Sequence, residues 1–307
     1  MTDRFVAPET LDGALALLAS DPDARPVAGG TDLVVASRQG RRPLPASIVA
    51  IDRIPELGAA GISPDGDLVL GALTTHAWIA ADPDVVASWS ALADAAAIVG
   101  SPATRGTGTL GGNLMNASPA AETTAPFVVL DASVTLRRFG GAARPVPVAQ
   151  LASGPGRTVA SADELLTDVR VPAPAPRSGS AYLRLEYRRA MEIAVVGAAA
   201  LVTLADDGRI AAARVALTAV APTIVRAPGA EAELVGASPA REVFRAAGAA
   251  AAAVATPIDD VRASADYRRA MLAVVVARTV AAACGRAALG AHAVPVPASR
   301  WSPGEGS

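Results

Sequence analysis

Residues 100–116 read GSPATRGTGTLGGNLMN, a dense run of glycine and small hydroxyl residues in a chain otherwise rich in alanine and valine. Glycine loses more backbone entropy on folding than any other residue, so such a run indicates backbone that closely approaches another group. The side chains of Thr104, Arg105, Thr107, Thr109 and Asn113 add donors and charge. The stretch therefore predicts a loop that holds a polyanionic ligand through N–H groups and hydroxyls.

A second glycine loop, VAGGTDLVV at 27–35, predicts the same ligand chemistry. Val27 is suited to end a strand, and the apolar run from Leu33 is suited to begin a helix. A strand, a glycine turn and a helix start together aim free backbone N–H groups at phosphate. Each loop alone could be a tight turn, but the two together favour a site for a pyrophosphate-bearing dinucleotide.

Composition narrows the possible functions. The chain has 307 residues, enough for two domains, and its 51% hydrophobic and 18% charged residues indicate a well-buried globular protein. A net charge of −2 gives no basic surface for nucleic acid. All 27 cationic residues are arginine, which excludes a Schiff-base lysine and a P-loop lysine.

Residues that bind metals are scarce. Cys284 is the single cysteine, so an intrachain disulfide and an iron–sulfur cluster held only by cysteines of this chain are excluded. His76 and His292 lie far apart, and we expect no metal site. The N-terminal MTDRFVAPETL lacks the apolar core of a signal peptide, which favours a cytoplasmic protein. The apolar segment 271–290 contains two arginines and is typical of a packed helix rather than a membrane span.

The pattern of elements predicts two kinds of architecture along the chain. The first 55 residues predict a β-α-β unit with a parallel sheet, and a hairpin is expected around Pro64–Gly66. The PAPAPRSG segment at 172–179 is typical of a linker. After it we expect two or three antiparallel strands, at 194–204 and 210–220, with a layer of helices at 239–255 and 264–289.

The predicted fold class is therefore α+β, in the sense of a mixed α/β arrangement. We expect an N-terminal ligand-binding domain at 1–176, with subdomains at 1–55 and 56–176. A C-terminal domain at 177–290 should combine an antiparallel sheet with helices, and 291–307 should form a disordered tail.

One motif in the glycine run is misleading. The spacing Gly106-x-Gly108-x-x-Gly111 matches the dinucleotide fingerprint of Rossmann folds, and Asp131 lies at a suitable distance for a ribose carboxylate. That fingerprint needs a strand before it and a helix after it. Here a helix at 89–99 is expected before it, and Pro119 follows closely. A glycine loop without Rossmann topology is the better interpretation.

With both loops placed, the chain resembles the flavin-binding medium subunit of the molybdenum hydroxylases, of the aerobic carbon monoxide dehydrogenase and xanthine dehydrogenase type. The matching segments run in the family's order over nearly the whole chain. They are AGGTDL (28–33), GALTTH (71–76), ATRGTGTLGGNLMNASPAAE (103–122), DELLTDVRVP (163–172), YLRLEYRRAMEIAVVGAAA (182–200) and DYRRAMLAVVVARTV (266–280). One of these segments alone would be weak support, but six in order are specific.

The resemblance implies FAD as the cofactor, bound by the N-terminal domain. Two loops would hold it: one is Ala28, Gly29, Gly30, Thr31 and Asp32, and the other contains Arg105, Gly106, Thr107, Thr109, Leu110, Gly111, Gly112, Asn113, Asn116 and Ser118. The resemblance adds Leu166 against the flavin ring, Glu122 near the adenosine part, and Arg184 near the flavin. No residue is implied to be catalytic and none to bind a metal.

Two implied positions depart from the family pattern. Glu122 stands where the family often has aspartate, so its longer side chain could reach the same hydroxyl or miss it. Arg184 replaces a common lysine; either residue's positive charge would favour a reduced anionic flavin, but arginine does not deprotonate.

Other residues have structural alternatives. Asp32 could bind the cofactor or cap a helix, and His76 could neighbour the flavin, although a structural role near a helix start is commoner. Tyr187 could shield the flavin or close a domain interface, and Glu192 is expected to pair with a nearby arginine. Arg268 and Arg269 are expected on a solvated helix face or in a subunit contact.

The implied function is electron transfer. FAD on this chain would collect electrons from [2Fe–2S] clusters on a small partner subunit and pass them to an external acceptor. A large partner subunit with molybdopterin would oxidise the substrate, in a dimer of heterotrimers. The alternatives are a self-contained FAD-dependent oxidase or dehydrogenase, with Tyr182, Tyr187 or Glu192 near its substrate, and a non-catalytic assembly protein.

Overall fold

A computed structural model describes residues 4–41, 43–188 and 191–289. The strands in these ranges are β1 (Arg4–Val6), β2 (Ala24–Val27), β3 (Ser47–Ala50), β4 (Ala60–Ile62), β5 (Leu68–Gly71), β6 (Ser133–Arg137), β7 (Arg144–Pro147), β8 (Ala152–Gly154), β9 (Arg157–Thr158), β10 (Leu165–Val171), β11 (Ser178–Leu185), β12 (Val196–Leu204), β13 (Ile210–Thr218) and β14 (Val225–Arg226). The helices are α1 (Leu11–Ser20), α2 (Thr31–Arg38), α3 (His76–Ala81), α4 (Pro83–Ser88), α5 (Ser90–Ala97), α6 (Pro102–Thr107), α7 (Leu110–Met115), α8 (Thr124–Val129), α9 (Val148–Leu151), α10 (Pro228–Leu234), α11 (Arg241–Ala252) and α12 (Ala265–Leu289).

The described residues form two compact units whose segments alternate along the chain. Unit 1 takes in the chain up to Trp78, then Pro102–Ser118 and Asp131–Ala173. Unit 2 takes in Ile79–Ser101, Pro119–Leu130 and the chain from Pro174 onward. The domain limits at 176 and 290 stay predictions, and the tail at 291–307 lies outside the described residues.

Unit 1 begins with a small parallel sheet of order β1-β3-β2, which confirms the predicted β-α-β unit. Thr10 caps α1 by accepting a hydrogen bond from the Gly13 amide, as its position before an apolar helical run suggests. The apolar face of α1 then packs with Val49, Leu57 and Leu165 in a common core. This core fixes the strand β2 that leads into the first glycine loop.

The second sheet of unit 1 is antiparallel, with the order β4-β5-β10-β6-β7. The predicted hairpin joins β4 and β5 and turns at Gly66, whose φ of 87° suits glycine. Strand β10 is central but was not predicted, because Thr167 and Asp168 interrupt its apolar run. A bulge between Leu166 and Asp168 accommodates this interruption.

Unit 2 contains an antiparallel sheet of order β11-β12-β13-β14, one strand more than the largest number predicted. Strand β14 has two residues, too few to show a sequence period. Helix α12 packs on β11 and β12, and α11 packs on α12. Gly179 permits the close approach of α12, because a Cβ built there would overlap the backbone of Ala287.

The prediction of a solvated face at Arg268 is wrong. Its side chain is buried and donates to the carbonyl oxygens of Val195 at 2.5 Å and Ala219 at 3.2 Å, and to Asp260 at 2.7 Å. The helical period explains the burial, since Arg268 shares its face with the buried Leu272. The buried guanidinium of Arg268 therefore forms hydrogen bonds with carbonyl oxygens and a carboxylate instead of with water.

Helix α12 is long and apolar enough, by length and composition alone, to cross a membrane. Half of its most apolar stretch is buried within the structure, and its contacts with β11, β12 and α11 are those of a core helix. Arg286 near its end pairs with the buried Asp94 at 2.6 Å and donates to the Ser180 carbonyl at 2.6 Å. These polar contacts tie the helix to unit 2.

Two helical glycines of unit 2 provide a matched test of this packing. A Cβ at Gly248 in α11 would overlap the carbonyl oxygen of Ala273 in α12, whereas no atom lies within 4 Å of a Cβ at Gly285. We expect Gly248→Ala to lower the free energy of unfolding by about 1–3 kcal/mol through overpacking. Gly285→Ala should raise it by about 0.5–1 kcal/mol, because alanine favours the helix. Urea denaturation measures both changes, and effects of the same sign would contradict the helix contact.

Candidate functional site

The first glycine loop ends in a helix whose amino terminus is open. Gly30 is the N-cap of α2 with a φ of 67°, and among the described residues no side chain caps this end. The first N–H groups of a helix have no intrahelical acceptor, and the helix dipole gives them partial positive charge. The predicted strand, glycine turn and helix start are confirmed, and they leave donors suited to phosphate.

The second glycine run folds as two short helices, α6 and α7, rather than as the open loop expected. Thr109 lies between them and caps α7 by accepting a 3.2 Å hydrogen bond from the Gly112 amide. It also pairs with Thr75 in an isolated antiparallel bridge. Helices α5 and α6, and not a strand, lead directly to Gly106, so the Rossmann-like spacing has no Rossmann topology here.

The two runs pack directly against each other. A Cβ on Gly29 would overlap the carbonyl oxygen of Thr107, and a Cβ on Gly111 would lie 2.8 Å from both the Cβ and the carbonyl oxygen of Ala72. Gly106 differs, because nothing lies within 4 Å of its built Cβ. Part of the glycine content therefore serves contact between protein segments, and Gly106 faces open space.

Three titratable groups accompany these loops. His76 is 2% exposed, and burial together with the charge of Arg105 lowers its pKa to about 4, so the ring is neutral at pH 7. Its Nδ1 has no hydrogen-bond partner among the described residues. Burial raises the pKa of Asp32, in the first turn of α2. Positive charge near the loops thus comes from Arg105 and the helix terminus.

All but two of the predicted cofactor-binding residues belong to unit 1. Ala28 to Asp32 and Arg105 to Asn116 form the packed pair of loops, and Ser118 follows α7. Leu166 lies in β10 and is buried at 2% exposure. Its contact with a flavin ring stays a prediction, as do the other individual contacts with the cofactor.

Comparison with known proteins adds independent support. A family described as the FAD binding domain in molybdopterin dehydrogenase matches residues 1–174, and the CO dehydrogenase flavoprotein C-terminal domain matches residues 181–283. The chain belongs to the FAD-binding subunits of the molybdenum hydroxylases.

Individual relatives agree. The carbon monoxide dehydrogenase medium chain of Hydrogenophaga pseudoflava is 34% identical over 93% of this chain and 98% of its own length. The putative xanthine dehydrogenase FAD-binding subunit of Escherichia coli is 31% identical over 90% and 96%. A solved carbon monoxide dehydrogenase from Hydrogenophaga pseudoflava, lacking the Mo-pyranopterin moiety, superposes with a TM-score of 0.88 at 33% identity, covering 93% of this chain and 98% of that one.

The residues of unit 1 fit the FAD of this family. Its pyrophosphate requires donors and positive charge, and the uncapped end of α2 and Arg105 supply both. Gly106 leaves the space that a side chain would fill. The second run is held to the segment after β5, because the amides of Leu110 and Gly111 donate to the carbonyl oxygens of Thr74 and Ala72, each at 2.8 Å.

The two remaining predicted residues, Glu122 and Arg184, bind each other in unit 2. The guanidinium of Arg184 has no exposed surface and forms ion pairs with both Glu122 and Glu186. Burial raises the pKa of Glu122. Because two carboxylates surround one guanidinium, the charge of Arg184 is already paired within unit 2, and its position near the flavin stays a prediction. Glu186 was missed, although its position two residues after Arg184 near the end of β11 would have suggested pairing.

This buried triad predicts a pH-dependent stability. The pKa of Glu122 is raised from its ordinary value of 4.5, so the folded state binds this proton more tightly than the unfolded chain. The stability from Glu122 is therefore present at low pH and is lost as pH rises through the raised pKa. Urea denaturation at a series of pH values should show this decline in the wild type. Glu122→Gln should reduce it, leaving the part contributed by Asp32 and Asp94, whose pKa values burial also raises.

Replacing Arg184 instead should lower the free energy of unfolding at every pH at which Glu122 and Glu186 are charged. We expect Arg184→Met to lower the free energy of unfolding by about 3–5 kcal/mol, because this variant leaves buried carboxylates unpaired. Arg170→Met is the matched control, since Arg170 also pairs with two carboxylates, Asp65 and Asp67, but is 46% exposed. The free energy of unfolding of Arg170→Met, measured by urea denaturation, should fall by at most about 1 kcal/mol. Equal losses would contradict the role assigned to burial.

Gly29 and Gly106 separate the packing role of glycine from its ligand role. Gly29→Ala should destabilise unit 1 and lower FAD affinity, because its Cβ would overlap the Thr107 carbonyl. Gly106→Ala should not lower the free energy of unfolding of the apoprotein, because this helical position has room for a Cβ, yet it should lower FAD affinity if the cofactor fills the open space. Thermal unfolding without FAD and a flavin fluorescence titration measure the two effects. Unchanged affinity in Gly106→Ala would show that the cofactor lies elsewhere.

Proposed function

We propose that the chain is the electron-transfer subunit of a multi-subunit molybdenum hydroxylase. It receives electrons from [2Fe–2S] clusters on a small subunit and passes them to an external acceptor, while molybdopterin belongs to a large subunit. The observation that carries the proposal is the uncapped terminus of α2 packed against the second glycine run, within the family's FAD-binding domain.

The residues of unit 1 bind and orient the cofactor. The amides at the start of α2 and the guanidinium of Arg105 hold the pyrophosphate, and Thr107 and Asn113 offer further donors. Packing between Gly29 and Thr107 fixes the two loops before the ligand arrives, which reduces the entropy lost on binding. When bound, FAD supplies the redox chemistry, which exchanges electrons in one- and two-electron steps.

The chain's own residues support a relay without substrate chemistry. Within the described ranges, no group of three or more His, Cys, Asp and Glu side chains could hold a metal ion. Cys284 is buried in α12, and burial raises the pKa of its thiol to about 12. A protonated, enclosed thiol is a poor nucleophile and a poor cluster ligand. The clusters and the molybdenum centre are therefore assigned to partner chains.

The self-contained oxidase is less well supported. Tyr182 is fully buried, and burial raises the pKa of its hydroxyl far above its usual range. The hydroxyl of Tyr187 donates to the carbonyl oxygen of Arg262, and Glu192 pairs with Arg188 at 3.2 Å. Each of the three side chains suggested by the sequence is thus enclosed or engaged by protein.

The quaternary structure is proposed from the relatives. One is named as a medium chain and another as an FAD-binding subunit, which implies further subunits in those enzymes. We infer a heterotrimer with a small iron–sulfur subunit and a large molybdopterin subunit, paired into a dimer of heterotrimers.

Visible absorption spectroscopy tests the function. The full chain is purified alone and also with co-expressed small and large subunits, and FAD is added to both. Carbon monoxide, hypoxanthine, nicotinate, quinoline and benzaldehyde are then supplied separately under anaerobic conditions. We expect flavin bands in both preparations, and bleaching by one of these compounds only in the complex. The Gly29→Ala complex is the control with weakened FAD binding.

Each contrary result points to a different error. Bleaching of the isolated chain by a substrate would support the self-contained enzyme and overturn the relay. Absence of bound flavin in both preparations would overturn the assignment of the glycine loops and favour the assembly protein.

A further inference from the structure

Unit 1 contains a partly open cavity of about 350 Å³ that the proposed function does not use. Its walls come from the start of α1, the short 3-10 turn Pro55–Gly58, strands β6 and β10 and the loop between β6 and β7, all of which belong to unit 1. Small-molecule sites commonly have volumes of about 300–1,000 Å³. The cavity therefore has room for a compact organic molecule.

This cavity lies on the face of the antiparallel sheet opposite Leu166, the residue predicted to contact the flavin ring. Across β6 and β10, Thr135 is paired with Asp168. The next pair along β6 joins Leu136 to Leu166. Neighbouring residues of a strand point to opposite faces, and paired residues share a face, so the cavity-lining Thr135 and Asp168 lie on the other side from Leu166. The cavity is thus separate from the predicted flavin contact.

Three charged side chains line the cavity without pairing with one another. Arg137, at the end of β6, is half-buried and forms no hydrogen bond or ion pair with any described residue. Asp168, in β10, is half-buried and has no cationic partner within the described ranges. Glu56 adds a second carboxylate at an exposed position. Because partly buried charges lose solvation, opposite charges left unpaired around one space indicate a site for a charged ligand.

Two hydroxyl groups hold the carboxylate of Asp168 in place. Thr135 Oγ1 donates to Oδ1 at 2.9 Å, and Thr167 Oγ1 donates to Oδ2 at 2.7 Å. An ionised carboxylate has about four acceptor sites, so each oxygen can still accept from a ligand. The two threonines therefore preorganise the carboxylate and leave its negative charge available.

The rest of the lining is apolar. Leu11, Leu57 and Ala143 face the cavity. Leu11 and Leu57 are 8% and 1% exposed and belong to the core around α1. A hydrocarbon group on the ligand would be removed from water against this wall.

The pattern of charge selects the class of ligand. Two carboxylates disfavour a phosphate-rich anion, and the guanidinium disfavours a metal cation or a polyamine. A molecule with one carboxylate and one ammonium group satisfies both signs of charge. The planar fork of Arg137 matches a carboxylate with two parallel hydrogen bonds, and Asp168 accepts from an ammonium group.

We propose that this cavity binds a free α-amino acid with an apolar side chain. Arg137 binds its carboxylate, Asp168 and Glu56 face its ammonium group, and Leu11 and Leu57 contact its side chain. The site is independent of the FAD site and is present whether or not the cofactor is bound.

Calorimetric titration of the unaltered full chain tests the class of ligand. The probes are L-leucine, 4-methylpentanoate, which lacks the ammonium group, and 3-methylbutylamine, which lacks the carboxylate. We expect leucine to bind, and each truncated probe to bind about tenfold or more weakly, because each leaves one charged group of the cavity unpaired. Saturation-transfer NMR with valine, isoleucine, methionine and phenylalanine then compares other apolar side chains.

Charge-removing variants test the assigned residues. Arg137→Met should bind leucine about tenfold or more weakly and no longer prefer it to 3-methylbutylamine. Asp168→Asn should lose the preference for leucine over 4-methylpentanoate. Arg138→Met is the matched control, because Arg138 is the next residue but is exposed and outside the lining, and it should bind leucine normally. Thermal unfolding without ligand and FAD titration confirm that each variant is folded.

The outcomes are distinct from those of the flavin experiments. No binding of any of the five amino acids at millimolar concentration would overturn the inference, as would equal leucine affinity in Arg137→Met and the wild type. Binding of 4-methylpentanoate as tightly as leucine would make the cavity a site for simple carboxylates and overturn the amino-acid assignment. None of these results would alter the proposed electron-transfer function.

Discussion

The contact between Gly29 and the carbonyl of Thr107 is the constraint on which the site depends. No side chain larger than hydrogen fits at Gly29, and this allows two chain segments some 78 residues apart to approach at backbone distance. Gly108 then lies close to both Thr31, the first residue of α2, and His76 of the GALTTH segment. Positive charge at the site comes from the amides at the start of α2 and from Arg105.

Glycine thus has several physical roles within the two glycine runs. Gly30 takes a left-handed φ at the start of α2, Gly29 and Gly111 permit contact with other protein segments, and Gly106 faces open space. The sequence alone does not distinguish these roles, because each position is simply a glycine. The prediction that the glycine-rich backbone closely approaches another group is confirmed, but for Gly29 that group is the second glycine run itself. Atomic coordinates are needed to separate glycines that permit packing between protein segments from glycines that leave space for a ligand.

The sequence predicted the elements that have a strong local signal. The β-α-β unit, the hairpin at Gly66 and the long α12 follow from turn residues and hydrophobic period. The misses lie where tertiary context overrides that signal. Arg268 is buried because carbonyls satisfy it, and β14 is too short to show a period. Within the site, the pairing of Glu122 with Arg184 could not be predicted, since 62 residues separate the partners.

The alternation of segments between the two units has a consequence for how the protein is made. Asp94 belongs to unit 2, yet its partner Arg286 lies 192 residues later, near the end of the described chain. The segment around α5 therefore emerges from the ribosome long before the sheet and helix that bury it. The ion pair between Asp94 and Arg286 can therefore form only after α12 has been translated, some 192 residues after Asp94.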